Sequence, residues 1–215
     1  MKKISILWII SGIISTTSCA QANTSHPGKR PYISISAGVA VPILCYASRD
    51  PANPDAGFAK TGFLFDFTYA HPLTESIGLG GTFYYAWNRA GNSRVKSVSE
   101  PRSYRMFGFM AGPWIKPQFT GRLEGDIRLQ AGVSRFFTPA LEKGDALWLE
   151  AQQSTAFTWG GAMSMRYRFA PDAFLLLKAG HLNAKPKFEK PPTPSGKTEQ
   201  HIVLMTVDAG IGLKF

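Results

Sequence analysis

The stretch "VLMTVDAGIGLKF", Val203–Phe215, alternates between large apolar residues and small or polar ones. Successive side chains of a β-strand point to opposite faces of the sheet, so a period of two places one kind of residue on each face. The apolar set is Val203, Met205, Val207, Ala209, Ile211, Leu213 and Phe215, and the other set includes Thr206, Asp208, Gly210, Gly212 and Lys214. The stretch is therefore predicted to form a strand with one oily face and one polar face.

The same period recurs along the rest of the chain. The stretches that show it are 32–41, 61–69, 77–87, 103–115, 123–137, 156–169 and 173–182. In 103–115 we place Phe107, Phe109 and Ala111 on the oily face, although two methionines leave the phase of that strand open. A tilted strand needs about ten residues to cross a bilayer. The pattern predicts an all-β protein whose eight strands have that length.

The segments between these stretches alternate in length. Long segments occupy 42–59, 88–102, 138–153 and 183–199, and short ones occupy 71–76, 116–122 and 170–172. Because each strand reverses the direction of the chain, the long segments fall at one end of the sheet, and the short ones fall at the other with both termini. Short turns on one side and long loops on the other are typical of outer-membrane barrels. We therefore expect an eight-stranded antiparallel up-and-down transmembrane β-barrel over 32–215.

The direction of the oily faces decides between a membrane barrel and a soluble one. An eight-stranded barrel has room only for its own side chains, and the aromatic residues of the oily faces are too bulky for that space. We assign the polar faces to the lumen, where acids and bases in similar number pair, since an unpaired buried charge is costly. The predicted lumen network is Asp66, Glu124, Asp126, Arg128, Arg166, Arg168, Lys178, Asp208 and Lys214.

Aromatic residues are predicted to mark both ends of the strands. Aromatic rings favour the two interfaces of a bilayer, where they form girdles around a barrel. We place Tyr69, Trp114, Phe169 and Phe215 at the turn end, and Trp87, Tyr104 and Trp159 at the loop end. In this interpretation Phe215 anchors the last strand at the periplasmic interface.

The first residues have the composition of an export signal. Two lysines precede a short apolar run, and small residues follow up to Ala22. This pattern predicts a cleaved signal peptide over 1–22 and a short N-terminal segment over 23–31. Lipid attachment at Cys19 is the alternative, although the leucine expected three positions earlier is absent. Once Cys19 is removed, Cys45 has no partner for an internal disulfide and is expected to be a small, half-buried side chain.

The export signal, the eight strands, the loop asymmetry and the terminal "GIGLKF" resemble the small outer-membrane barrels of the OmpA/OmpX type. The resemblance covers 32–215. It implies a location in the outer membrane of a Gram-negative bacterium, in contact with its lipids and lipopolysaccharide. In that family the barrel-assembly machinery reads the final aromatic strand, so the resemblance implies this role for Phe215. Small barrels serve many purposes, so their fold alone implies no particular activity.

The net charge of the chain is +10, and two of the long segments are rich in bases. One cluster is Arg89, Arg94, Lys96 and Arg102, and the other is Lys185, Lys187, Lys190 and Lys197. An outer leaflet built from phosphorylated lipopolysaccharide would attract such loops. An ordinary solvated loop is the alternative. Nucleic acid is not expected as a partner, because the aromatic residues lie in the strands and not among the loop bases.

One histidine is a candidate for catalysis. His181, in "GHLN", is the nearest match to the His-x-Ser-Asn signature of a barrel enzyme that deacylates lipid A, but the serine is missing. A hydrolase needs a nucleophile and a base within hydrogen-bond reach, and no serine is convincingly paired with His181. The histidines also lack the spacing of metal ligands. We therefore expect no catalytic residue, no metal and no cofactor.

The expected function is a structural or recognition role at the envelope: membrane integrity, adhesion or lipopolysaccharide contact, with an extracellular ligand for the four loops. A diffusion channel is disfavoured, because eight strands leave little free lumen. The alternative from a different class is a lipid A-modifying enzyme of the deacylase kind. A periplasmic lipocalin-like carrier is the third interpretation, and it would place the apolar residues inside.

Overall fold

The structure, a computed structural model, is a closed β-barrel that begins just after Arg30. The described residues are 30–50, 53, 56–91, 95–97, 103–117, 121–143, 146–149, 151–188 and 198–215. For 95–97, 141–143, 146–149 and 198, only the backbone is described. The predicted signal peptide, and the N-terminal segment as far as residue 29, lie outside the described residues.

Eight long strands form the barrel. They are β1 (Tyr32–Ile43), β2 (Ala59–Pro72), β3 (Ile77–Ala90), β4 (Ser103–Ile115), β5 (Leu123–Phe137), β6 (Gln153–Arg168), β7 (Ala173–Ala184) and β8 (Ile202–Lys214). Each strand pairs antiparallel with the next one along the chain. β1 closes the barrel against β8, with Tyr32 opposite Lys214 and Ile43 opposite Val203. The predicted eight-stranded antiparallel barrel is confirmed.

The connections alternate in length as predicted. Those at 73–76, 116–122 and 169–172 share one end of the barrel, which we call the turn end. The long connections lie at the other end, the loop end, and occupy 44–58, 91–102, 138–152 and 185–201. The first of them begins with a short helix, α1 (Leu44–Ala47). No helix in the described ranges is long and apolar enough to cross a membrane.

Short strands also form within the loop-end connections. Val95–Ser97, Leu141–Lys143 and Ala146–Leu149 make a three-stranded sheet that joins the second long connection to the third. Lys187–Phe188 pairs with Thr198–Glu199 inside the fourth. The sequence pattern showed none of these strands, because each is too short to display a period.

The oily faces of the strands point outward. In β2, Phe65 and Phe67 are each 41% exposed, whereas the intervening Asp66 is 1% exposed. Leu129 in β5 and Phe157 in β6 reach 64%. A contiguous apolar surface of this extent marks a membrane-facing wall, because monomeric soluble proteins rarely expose one. The arrangement is the reverse of the lipocalin-like carrier, whose apolar residues line the interior.

Burial along β4 settles the phase that the sequence left open. Phe107 and Phe109 point outward, and both methionines of the strand are buried inside. Tyr104 and Trp114 share the inward phase and are 2% and 4% exposed. The prediction that these two rings belong to the interfacial girdles is therefore wrong.

Glycine makes room for Trp114 inside the bore. A Cβ atom added at Gly78, its partner on β3, would lie 2.4 Å from the indole ring. The indole N–H of Trp114 donates to the carbonyl of Leu79 at 3.2 Å, and the ring centre lies 6.5 Å from that of Tyr32. A buried tryptophan is stable where its N–H has an acceptor and its ring has an aromatic neighbour. Both conditions hold inside the barrel.

Candidate functional site

At the middle of the bore, one lysine is shared by two carboxylates. Nζ of Lys178 on β7 donates to Asp66 on β2 and lies 3.3 Å from Oδ1 of Asp208 on β8. The Ser36 hydroxyl also donates to Asp66, at 2.9 Å. Because β8 and β1 separate β7 from β2 in the barrel wall, the contact between Lys178 and Asp66 crosses the bore.

Neutral polar side chains extend this central network. The Thr68 hydroxyl donates to Asp66 at 3.3 Å and lies 3.1 Å from the Thr82 hydroxyl. Thr82 can donate in turn to Oε1 of Gln130, at 3.1 Å. The alternation places all three neutral residues on the polar faces, yet only charged residues were predicted as members of the network. Neutral hydroxyl and amide groups complete it because they satisfy carboxylate oxygens without adding charge.

A second network fills the bore toward the turn end. Arg128 donates from Nε and Nη2 to the two carboxylate oxygens of Asp126, at 2.7 and 3.0 Å. The Tyr32 hydroxyl donates to Asp126 at 3.0 Å and accepts a hydrogen bond from Arg128. Arg166 lies 3.5 Å from Asp126, and its guanidinium is 4.4 Å from the centre of the Tyr32 ring. Tyr32 therefore serves both as a hydrogen-bonding group and as a cation–π surface.

Glu124 gathers three cations at the mouth of the turn end. Nζ of Lys214 donates to both oxygens of Glu124, at 2.7 and 2.8 Å, and Nζ of Lys116 lies 3.6 Å away. Arg166 approaches Glu124 at 3.8 Å. Lys116 was not predicted as a member, since it follows the end of β4. Arg168 was predicted, but its guanidinium donates to a backbone carbonyl of the neighbouring turn at an exposed position, outside the network.

Charge is nearly balanced across the two networks. Every carboxylate in them lies within 3.8 Å of at least one cation. The carboxylates are Asp66, Glu124, Asp126 and Asp208, and the cations are Lys116, Arg128, Arg166, Lys178 and Lys214. Pairing of this kind is what makes ionised side chains tolerable away from bulk water.

Toward the loop end, the bore is apolar. Tyr46 of α1 and Phe58 turn inward from the first long connection, and the Tyr46 ring lies 5.3 Å from that of Tyr104. The Tyr104 hydroxyl donates to the carbonyl of Gly57 at 2.6 Å. We call this cluster the loop-end plug, and its large members include Tyr46, Phe58, Tyr104, Met106, Phe136, Ile202 and Leu204. The sequence predicted a polar lumen throughout. The plug was missed because apolar residues on the inward faces of several strands come together there with Tyr46 and Phe58, which lie in a connection without a period.

The Tyr46 hydroxyl has no hydrogen-bond partner among the described residues, although it is fully buried. Burial raises the pKa of Tyr46 well above its usual value, and the neighbouring Tyr104 adds to the effect. Desolvation disfavours the charged form of a phenol, so the Tyr46 side chain stays neutral. The plug is therefore an uncharged closure of the bore.

A cavity of about 50 Å³ remains between the plug and the central network. Leu64 and Tyr84 line the cavity together with Asp66 and Lys178. Because one water molecule needs at least about 10–15 Å³ of such space, the cavity accommodates only a few waters. This cavity has no room for a larger ligand.

The exterior carries aromatic residues at both ends. Tyr69, Phe169 and Phe215 are exposed at the turn end, and Trp87 and Trp159 at the loop end. The rings of Tyr69 and Phe215 stack with their centres 6.5 Å apart. The backbone N–H of Phe215 donates to a carbonyl just before β1, at 3.0 Å. These positions suit interfacial girdles, and recognition of Phe215 by the assembly machinery stays a prediction.

The predicted basic loop residues are only partly described. Arg89 is exposed at the end of β3, and Lys185 and Lys187 are exposed after β7. Lys187 lies opposite Glu199 in the short two-stranded sheet. Arg94, Arg102, Lys190, Lys197 and the side chain of Lys96 lie outside what the structure describes.

Two more arginines are exposed on the outer wall near the loop end. Arg105 belongs to β4 and Arg135 to β5. The sequence pattern places both on the oily, outward phase, but they were not predicted as site residues because the predicted basic clusters lie in the long segments between strands. Their parity, shared with Phe107 and Val133, was the signal that would have found them.

The candidate catalytic histidine has no catalytic partner among the residues that the structure describes. The His181 ring sits edge-on to Trp159, with ring centres 5.4 Å apart. Within the described chain, no serine or carboxylate is hydrogen-bonded to His181. Cys45, the other residue considered from the sequence, is half-buried and forms no disulfide with a described residue. Nor does any group of three or more His, Cys, Asp or Glu side chains in these ranges have the geometry to hold a metal ion.

Comparison with known proteins supports the fold. No protein-family model matches the chain, and no curated protein matches it in sequence. Among solved structures it is similar to Ail, the attachment invasion locus protein of Yersinia pestis, at 13% identity and a TM-score of 0.53, covering 87% of this chain and 99% of that one. It is also similar to Neisserial surface protein A, at 12% identity and a TM-score of 0.55, covering 86% and 97%.

Both similar structures are small outer-membrane barrels, and this chain has their fold. The resemblance expected from the sequence is confirmed at that level. The predicted location in the bacterial outer membrane agrees with these neighbours and with the apolar outer wall.

Proposed function

We propose that the protein is a plugged outer-membrane barrel that presents its four long loops at the cell surface for recognition or attachment, and that it supports envelope integrity. The filled bore is the observation that carries this proposal. Two charged networks occupy the turn end and the middle, the plug occupies the loop end, and the cavity between them measures about 50 Å³. A barrel filled in this way acts through its outer surfaces and loops.

The loop end is the surface that such a barrel can offer to a partner. The wall faces lipid, and loops on a rigid scaffold commonly carry binding functions. Three backbone segments from the second and third connections pair with each other at this end. That pairing favours a recognition surface built from more than one loop.

One of the similar barrels is named after a role in attachment. Ail is called an attachment invasion locus protein. At 13% identity, that likeness extends to the fold and not to a ligand. It supports attachment as the form of recognition to test first.

The test uses a Gram-negative host that lacks the protein. Cells that express the full chain should place it in the outer-membrane fraction, with different gel mobility before and after boiling. They should attach better to host-cell or extracellular-matrix surfaces, or resist detergent better, than cells with an empty vector. A variant with 189–197 replaced by a Gly/Ser segment of equal length should keep the mobility shift and lose the gain in attachment.

Two results would contradict the proposal. One is a steady ion conductance when the purified protein is placed in a planar bilayer, since a plugged barrel should not conduct. The other is a change in the mass of lipid A extracted from the expressing cells. That change would favour the lipid A-modifying enzyme instead.

A further inference from the structure

We propose that Arg89, Arg105 and Arg135 form a binding site for the phosphate groups of outer-leaflet lipopolysaccharide. We call these three residues the arginine row. The site rests on the proposed outer-membrane location, but it lies on the barrel wall and not in the loops. It therefore differs from the recognition surface proposed above.

The register of the strands places the three arginines next to each other. Arg105 on β4 lies opposite Trp87, two residues before Arg89 on β3. It also lies opposite Phe137, two residues after Arg135 on β5. The Cα atoms of diagonal neighbours on adjacent antiparallel strands are about 7–8 Å apart. The arginine row therefore runs without a gap across three neighbouring strands.

All three side chains are exposed, and none has an acidic partner among the described residues. Within the described chain, the ion pairs of this protein lie in the bore or at the turn end, and none includes the arginine row. The exposed or half-buried residues beside the row are aromatic, neutral or basic. They are Trp87, Phe107, Phe137, Gln153 and Thr155, with Lys60 beside Arg89 at the bulge of β2. Three adjacent cations repel each other, and a bound anion relieves that repulsion.

Neighbouring groups hold one of the guanidinium groups in place. Nη2 of Arg135 donates to Oε1 of Gln153 at 2.7 Å, and its guanidinium lies 5.6 Å from the centre of the Phe137 ring. Phe137 in turn stacks on Phe107, with ring centres 5.9 Å apart. A guanidinium ordered before binding loses less entropy when it forms the paired hydrogen bonds that phosphate favours.

The position of the arginine row along the barrel axis favours a membrane lipid as the source of the phosphate. On the same strands, the exposed rings of Trp87 and Phe107 lie next to the arginines on the side of the apolar wall. Aromatic rings of this kind lie at the level of the lipid headgroups. An anion that meets the arginine row is therefore held at the bilayer surface, and a lipid with several phosphates can reach more than one guanidinium.

The experiment uses the full protein folded in bilayer discs of phosphatidylcholine, and measures its affinity for added lipopolysaccharide. We compare wild type with Arg89→Gln, Arg105→Gln, Arg135→Gln and the triple variant. A basic residue near an anionic lipid surface contributes enough to change affinity about fivefold, so the triple variant should bind about 100-fold more weakly. Arg122→Gln removes an exposed arginine of the turn end and should leave affinity unchanged. The boiling-dependent mobility shift verifies that each variant is folded.

Three outcomes would overturn the proposal: equal affinity of the folded triple variant and wild type, an equal loss in Arg122→Gln, or undiminished binding of lipopolysaccharide whose phosphates have been removed. Full displacement by inorganic phosphate alone would also overturn it, since the site would then bind a free anion and not a lipid. None of these results changes where the protein resides or whether its loops mediate attachment. Failure of the site and failure of the proposed function are therefore distinguishable.

Discussion

Lys214 and Glu124 form a two-point ion pair across the turn-end mouth of the barrel, with Nζ 2.7 and 2.8 Å from the two carboxylate oxygens. The two residues belong to β8 and β5, and two strands, β7 and β6, separate these in the wall. The pair therefore joins parts of the barrel that no backbone ladder connects directly. β8 is also the strand that closes the barrel against β1.

Glu124→Gln should lower the free energy of unfolding by about 1.5–3 kcal/mol, the range for a hydrogen bond to a charged group. The substitution leaves Lys214, Lys116 and Arg166 without their shared carboxylate. Urea unfolding in lipid vesicles measures the change. Lys214→Gln in the same background should cost less than it does in wild type, because contacting residues are not additive. Strict additivity of the two substitutions would contradict the pair.

Lys178→Met should destabilise the barrel more strongly, by about 3–5 kcal/mol, because it leaves buried carboxylates unpaired. Asp66 and Asp208 both depend on this lysine for their ion pairs. Adding Asp66→Asn removes one uncompensated charge and should restore part of the lost stability. The same unfolding measurement applies. A Lys178→Met protein as stable as wild type would contradict the ion pairs of Lys178 with Asp66 and Asp208.

Leu129→Arg should cost about 2–4 kcal/mol, the range for a basic side chain on the lipid face near the bilayer midplane. Leu129 is 64% exposed and lies in the middle of β5. On the surface of a soluble protein the same change is nearly neutral. Leu129→Phe, which keeps the wall apolar, is the matched control and should be tolerated. Equal stability of the two variants would mean that this wall does not face lipid.

Tyr46→Phe and Tyr104→Phe should have opposite effects on stability. The Tyr46 hydroxyl is buried without a partner in the described structure, so removing it should stabilise by about 1 kcal/mol. Tyr104→Phe breaks the hydrogen bond to Gly57 and should destabilise by a similar amount. Equilibrium unfolding at neutral pH separates them, and a loss of stability in both variants would contradict the unpaired hydroxyl.

The raised pKa of Tyr46 also predicts a response to alkaline pH. Above about pH 10 the unfolded chain releases the phenol proton, whereas the folded protein retains it. Fewer protons are then bound in the unfolded state, so the free energy of unfolding falls as pH rises. Tyr46→Phe should make that fall shallower. An unchanged slope would show that Tyr46 ionises as readily in the folded barrel as in the unfolded chain.

Much of the wall was predictable because alternation is a local signal. The parity of Phe65, Asp66 and Phe67 places the aromatic rings on one face and the carboxylate on the other. The small bore of an eight-stranded barrel then puts the rings outside. The same rule, applied strictly, would have placed Tyr104 and Trp114 in the bore, since they share the parity of Met106. They were assigned to the girdles by their position near strand ends, and position near an end does not determine the face.

The contents of the bore were less predictable, because they depend on contacts between distant parts of the chain. Period-two patterning places Lys178 and Asp66 on inward faces, but only barrel closure brings β7 and β2 across from each other. The loop-end plug depends on Tyr46 and Phe58, which lie in a connection without any period. The arginine row requires the register of β3, β4 and β5.

Fluorescence quenching by lipids with brominated acyl chains tests most directly whether an oily wall surrounds a filled bore. Two variants each keep a single tryptophan, Trp159 or Trp114, with the other tryptophans replaced by phenylalanine. Trp159 is 46% exposed on the wall and Trp114 is 4% exposed inside. In brominated bilayers, Trp159 should be strongly quenched and Trp114 should keep most of its emission. Strong quenching of Trp114 together with protection of Trp159 would contradict the account.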